Sequence, residues 1–162
     1  MKPIISTLVL TALAVSASSS APEPQQPPST EKTNMRLGNF SVSLAVKDIH
    51  ASRAFYDKLG FRAIGGDAAQ RWLILQNETC TIGLFQGMLE KNTLTFNPGW
   101  DQHGKALPDF DDVRDIQKSL KSQGLALTKQ ADESSTGPAS VVLLDPDGNP
   151  ILIDQHVPSR RK

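Results

Sequence analysis

Phe40-Ser-Val-Ser-Leu-Ala-Val-Lys-Asp-Ile-His-Ala-Ser-Arg-Ala-Phe-Tyr-Asp-Lys-Leu-Gly-Phe61 changes its hydrophobic period once, and that change sets the reading of the whole chain. Phe40, Val42, Leu44 and Val46 point one way and Ser41, Ser43, Ala45 and Lys47 the other, which is the period-two signature of a half-buried strand. Asp48 then stands where a helix needs an N-cap. Ile49, Ala51, Phe55 and Leu59 fall close to helical spacing, and Gly60 is placed to end the helix in the left-handed conformation. Three strand candidates follow, Phe61 to Ile64, Trp72 to Gln76 and Thr79 to Gln86, separated by Gly65-Gly66 and Asn77-Glu78 turns. The unit is βαβββ.

The same order recurs further along. Thr93 to Asn97 reads as a strand, and Asp111 or Asp112 caps a helix bearing Val113, Ile116 and Leu120 that Gly124 closes. Leu125 to Thr128, Ser140 to Leu144 and Ile151 to Gln155 supply three more strands. The repeat lies in element order, at a spacing of roughly 50 residues. The predicted fold is α+β: paired βαβββ modules whose curved mixed sheets surround a concave groove, with apolar positions facing the helices and the alternate positions facing the groove.

Outside this domain, taken as 37–158, the chain changes texture. Lys2, an apolar run from Ile4 to Val15 and the small residues Val15-Ser16-Ala17 read as a secretory signal over 1–17, since the run is shorter than the roughly 20 residues that span a bilayer. Residues 18–36, rich in Ser, Pro, Gln, Thr and Glu, have little to bury and read as a flexible linker. Ser159-Arg-Arg-Lys162 is a short basic tail. The mature chain is expected in the periplasm or outside the cell, without membrane attachment after cleavage. Lys plus Arg equals Asp plus Glu at 17 each, so no net field favours a nucleic acid. The only cysteine, Cys80, excludes an intrachain disulfide, and its apolar neighbours predict a buried thiol.

Two stretches carry a family resemblance. Ser43-Leu-Ala-Val-Lys-Asp-Ile49 running into Ser52-Arg-Ala-Phe-Tyr-Asp-Lys-Leu-Gly-Phe61 resembles the opening strand, helix and Leu-Gly-Phe corner of the vicinal oxygen chelate superfamily (glyoxalase/bleomycin resistance protein/dioxygenase). Asp145-Pro-Asp-Gly-Asn-Pro-Ile-Leu-Ile-Asp154 resembles its last hairpin. The resemblance implies a divalent metal held from the first, fourth, fifth and eighth strands and acting as a Lewis acid on adjacent substrate oxygens. At the corresponding positions this sequence has Ser41, a residue near Gly83, Thr93 or Thr95, and Leu152. None is an imidazole, thiolate or carboxylate, so no cofactor is expected. A divalent metal enters only in the alternative reading, through Asp154 and His156, which share a face of the last strand with Leu152. The resemblance also implies a homodimer, because related proteins often complete the groove across a twofold axis.

Ser41, Ser43, Trp72, Gln76, Phe85, Thr95, Asn97 and Asp154 are assigned to the groove, with Trp100 on a rim that follows Asn97-Pro-Gly. Apolar walls with a few hydrogen-bonding groups are what a site for a small organic molecule requires. The competing assignment has Trp72 and Phe85 filling the core. His50, at the start of a helix, and His103, in a polar loop, read as surface residues. The four aspartates between Asp109 and Asp115 read as compensation of a helix dipole rather than a calcium loop. No nucleophile elbow or phosphate loop occurs in the sequence. Three functions follow: a metal-free binder of a small organic ligand, of the bleomycin-resistance kind; a lyase, isomerase or dioxygenase with an atypical metal set; or a non-catalytic interaction protein.

Overall fold

The computed structural model describes residues 34–160. The predicted signal, most of the predicted linker and the last two residues of the basic tail lie outside them. The elements are β1 (Asn39–Val46), α1 (Ile49–Lys58), β2 (Arg62–Asp67), β3 (Trp72–Asn77), β4 (Cys80–Gln86), β5 (Thr93–Asn97), α2 (Val113–Ser122), β6 (Leu127–Lys129), β7 (Ala139–Leu144) and β8 (Pro150–Gln155). They form one eight-stranded sheet in the order β2-β3-β4-β1-β5-β8-β7-β6, so the expected βαβββ pair is present as two halves of a single open sheet. In each half the first strand lies parallel to the last, β1 to β4 and β5 to β8, a pairing that demands the helical crossover α1 or α2. The halves join edge to edge where β1 runs antiparallel to β5, with Ser41 opposite Thr95 and Asn39 opposite Asn97.

Alternation along the strands gives the sheet two chemically different faces. On one side α2 buries Val113, Ile116 and Leu120 against Val141, Leu143 and Ile153, while α1 buries Ile49 against Leu73, Leu75 and Leu84. The other side of the seam carries Ser41, Ser43, Thr93, Thr95 and Asn97, all buried although polar. Asp48 accepts from the backbone N–H groups of His50 and Ala51 at 2.9 and 3.1 Å and starts α1. Of the two candidate caps for α2, Asp112 is the one used, accepting from Arg114 N at 2.9 Å. Asp111 and Asp109 instead receive the Arg36 guanidinium, and the partly buried Met35 and Leu37 pack on the α2 core. The final turn is built on Asp145, whose carboxylate accepts from Asp147 N, Asn149 N and Asn149 Nδ2, and it sets the β7–β8 register from Leu144 opposite Pro150.

Three local expectations are corrected. Gly65 and Gly66 lie inside β2 and make no turn; the reversal belongs to a 3₁₀ turn, Ala68–Gln70, started by Asp67 accepting from Ala69 N at 2.8 Å. Gly66 is required for another reason: its φ is +88°, and a Cβ there would lie 2.6 Å from the Trp72 carbonyl oxygen. The α1 face is also rotated. Phe55 and Leu59 are exposed, and Tyr56 turns to the sheet, edge-on to Phe61 at 5.7 Å. Finally, Cys80 is exposed, because it opens β4 directly after a hairpin turn and not in the strand interior.

Candidate functional site

The polar face of the seam is the floor of a cavity of about 390 Å³. Ser41 and Ser43 reach it from β1 and Thr95 and Asn97 from β5, since the antiparallel register sets these odd-numbered positions side by side. Trp72 and Gln76 come from β3, Phe85 from β4, and Leu152 and Asp154 from β8, followed by His156 just past the strand end. Trp100 and Gln102 arrive from the loop after β5. That loop is tied down by Asn39 N donating to Trp100 O at 3.1 Å, Trp100 N to Asn97 O at 3.2 Å and Leu107 N to Gly99 O at 2.8 Å. Every residue assigned to the groove from sequence therefore lines this one cavity. Trp72 and Phe85 are half-buried on its walls, on the face opposite the Leu73, Leu75 and Leu84 core.

The hydrogen bonds divide the lining into committed and uncommitted groups. Ser43 Oγ and Thr95 Oγ1 bond each other at 2.8 Å. Asn97 donates its amide to the Asp154 carbonyl at 3.0 Å, which fixes the orientation of that side chain, because only the N–H end can face a carbonyl. Gln76 Nε2 donates to Gln102 O at 2.7 Å and to Thr81 Oγ1 at 3.3 Å. Ser41 is 8% exposed, and its hydroxyl has no hydrogen-bond partner among the described residues. Buried polar groups are rarely left this way, since desolvation without a partner costs about 1–3 kcal/mol.

One end of the cavity holds an ionisable pair. His156 Nε2 lies 3.2 Å from Asp154 Oδ2, and the imidazole stacks on Trp100 with ring centroids 4.3 Å apart and planes 11° from parallel. The Asp154 hydrogen bond raises the His156 pKa above its ordinary value against the opposing effect of burial. Period-two alternation puts Asp154 and His156 on one face. The Trp100 stack has no sequence signal, because it depends on the path of the loop. Beneath this end, Gln155 points to the other face, accepting from Val113 N at 2.8 Å and donating to Asp112 Oδ2 at 3.2 Å, so β8 is locked to the start of α2. His50 and His103 are exposed and do not line the cavity, although His103 lies between the lining residues Gln102 and Gly104.

The residues that the resemblance sets at the superfamily's metal positions, Ser41, one near Gly83, Thr93 or Thr95, and Leu152, lie on the adjacent strands β1, β4, β5 and β8. Ser41 faces Thr95 across the seam, Thr95 pairs with Leu152, and Gly83 pairs with Ser43. Two hydroxyls, a glycine and an isobutyl group do not fit a divalent transition metal. The space above Gly83 is also occupied: a Cβ there would lie 2.5 Å from Phe85 Cε2. Asp154 and His156 are a pair bonded to each other, and among the described residues no cluster of three or more His, Cys, Asp or Glu is arranged to hold a metal. A larger, more open depression of about 700 Å³ draws on the helix-side residues Phe40, Val42 and Ile82. It lacks the unpaired buried polar floor and is not the candidate site.

Paired βαβββ modules joined through their first strands over a concave, side-chain-lined groove define a class of two-module groove proteins. The family model of the glyoxalase/bleomycin resistance protein/dioxygenase superfamily matches residues 38–153, and the chain belongs to that superfamily. Among solved structures it is similar to an NAD-dependent benzaldehyde dehydrogenase from Legionella pneumophila, at 18% identity and TM-score 0.54, covering 72% of this chain and 98% of that one. It is similar also to a glyoxalase/bleomycin resistance protein/dioxygenase superfamily member from Vibrio splendidus 12B01, at 15% identity and TM-score 0.51, covering 72% and 97%. A hypothetical protein from Bacillus halodurans C-125 matches at 12% identity and TM-score 0.51, covering 75% and 96%. Likeness at these identities shows the fold alone. No curated protein sequence matches the chain.

Proposed function

We propose that this superfamily member is an exported protein that binds a small organic molecule in the groove without the superfamily's metal centre. The observation that carries the reading is Ser41: a residue 8% exposed, its hydroxyl without a protein partner among the described residues, set in the floor of a 390 Å³ cavity with aromatic walls. A volume in the roughly 300–1,000 Å³ range, mostly apolar walls and a few polar groups are the properties of small-molecule sites. The donor set at the superfamily's metal positions supports the metal-free part. The basic residue, apolar run and small residues before Ser18 support export.

A second reading, an enzyme of the same superfamily, is favoured by the Asp154–His156 pair at 3.2 Å, which has the composition of a general acid–base couple at the cavity's edge. It requires turnover as well as binding.

The test is a thermal-shift screen of small organic molecules against the full chain in the presence of a chelator, carried out on the native protein and on Ser41→Ala. Removing an unpaired buried hydroxyl stabilises the ligand-free protein by up to about 1 kcal/mol while weakening the ligand. Ligands that stabilise the native chain and do so less in S41A support the reading. A library that stabilises neither protein, with S41A no more stable than native, refutes it.

A further inference from the structure

We propose that residues 101–106 are a movable flap between the groove and the open depression beside it, latched shut by the Gln76 side chain. Its use, access to the groove, rests on the ligand-binding reading; its motion does not.

The segment follows the end of β5 and reaches back over the first half of the sheet. β1 and β4 lie between β5 and β3, so the tip bridges three strand spacings, about 14 Å along the sheet. At the far end one bond holds it, Gln76 Nε2 donating to Gln102 O at 2.7 Å. Among the described residues this is the only hydrogen bond from 101–106 to the rest of the chain, and no ion pair supplements it. Residues 102–106 are exposed, and none of them carries a large apolar side chain. Few apolar contacts and a single exposed bond are the conditions under which a segment opens locally at low cost.

Within itself the segment is braced. Asp101 Oδ1 accepts from His103 N at 2.8 Å and Lys105 N at 2.9 Å, Asp101 N donates to Lys105 O at 2.9 Å, and Gly104 N donates to Asp101 O at 3.0 Å. The root is fixed separately, by Asn39 N on Trp100 O, Leu107 N on Gly99 O and the Trp100 stack on His156. A braced tip on a fixed root with one tether moves as a unit, the flanking residues absorbing the turn.

Space for that movement is present on both sides. The 390 Å³ cavity meets the segment at Gln102 and Gly104, and the 700 Å³ depression meets it at Asp101 and Gln102. Asn39 and Thr81 line both spaces, so lifting the tip joins them without disturbing either core cluster. Loss of one neutral hydrogen bond shifts such an opening by about threefold to tenfold.

The test places a thiol on the groove floor and follows its alkylation with no ligand present. In a Cys80→Ser background, which removes the only native cysteine, Ser41→Cys is treated with N-ethylmaleimide alone and in combination with Gln76→Met or Thr81→Val. Q76M removes the latch donor, whereas T81V removes the weaker partner of Gln76, at 3.3 Å, and leaves the latch in place. The thiol at position 41 is expected to react about threefold to tenfold faster with Q76M and at an unchanged rate with T81V. Equal rates with and without Q76M, or as large an acceleration with T81V, overturn the flap and leave the ligand screen to judge the binding reading. Acrylamide quenching of the two tryptophans, Trp72 and Trp100, both in the cavity lining, makes the same comparison with Ser41 and Cys80 intact. Quenching should rise in Q76M and not in T81V; no rise in Q76M overturns the proposal.

Discussion

Replacing Asn97 by Asp changes one atom of a side chain that is 7% exposed and whose N–H lies 3.0 Å from the Asp154 carbonyl oxygen. The substitution turns a donor into an acceptor facing an acceptor. Losing the hydrogen bond costs about 1–3 kcal/mol at a buried site, a cost that Asn97→Ala should share. The Asp variant adds a second, pH-dependent cost. Burial and the absence of a donor both disfavour the charged carboxylate, so its pKa in the folded chain lies above the value of about 3.9 that it has when unfolded. Between those two values the native state binds more protons than the unfolded state, so stability falls as pH rises, by about 1.4 kcal/mol for each unit by which the pKa is raised. Urea unfolding of N97D, N97A and the native chain at several points from pH 4 to pH 8 measures this. N97D should match N97A or better it near pH 4 and become the less stable of the two by pH 7. Parallel curves for the two variants across that range would show that the position is open to water, and the assigned Asn97 amide orientation would be wrong.

The other predictions concern the supports of the site. Arg114 has no exposed side-chain surface and is held by Asp112, Ser135 and the carbonyls of Asp132 and Gly137, so Arg114→Met, which leaves Asp112 without its buried countercharge, should cost about 3–5 kcal/mol by urea unfolding. Arg36→Ala, which breaks exposed pairs with Asp109 and Asp111, should cost much less than Arg114→Met; equal losses in the two variants would refute the distinction. The His156 ring should titrate by NMR above the ordinary histidine range and return toward it in Asp154→Asn. The pair's contribution to stability is full below the unfolded pKa and disappears as pH rises through the folded one; an unmoved midpoint in D154N would remove Asp154 as the cause. Cys80 should react with a maleimide in the folded chain as fast as a small exposed thiol does, and protection until unfolding would contradict its position at the mouth of β4.

What could be read in advance was local. The β1 alternation, the Asp48 and Asp112 caps and the Asp145 turn are each written within a few residues, and each is present. Ser41, Ser43, Thr95 and Asn97 could be assigned to one face because alternation alone decides it, and the seam then sets them together. The misreadings have the same origin. Helical spacing offered two stripes on α1, and the choice between Phe55 and Tyr56 is made by Phe61 and the sheet, outside the helix. The two consecutive glycines at Gly65 suggested a turn, but Gly66 serves a close backbone approach from Trp72 across the β2–β3 pair. Cys80 lies among residues that pattern as a strand interior, and only the hairpin geometry exposes it. The Trp100–His156 stack joins residues 56 positions apart through a loop whose course depends on Asn39, Gly99 and Leu107, so no periodicity announces it.

The most direct test of a groove that works without a metal is elemental analysis of the full chain, purified without a metal-binding tag and repeated after incubation with zinc, nickel, manganese and ferrous iron. Well under one metal ion per chain is expected in every case, with ligand stabilisation unchanged by a chelator. One ion per chain, lost on Asp154→Ala, would contradict it and place Asp154 and His156 in an atypical metal site.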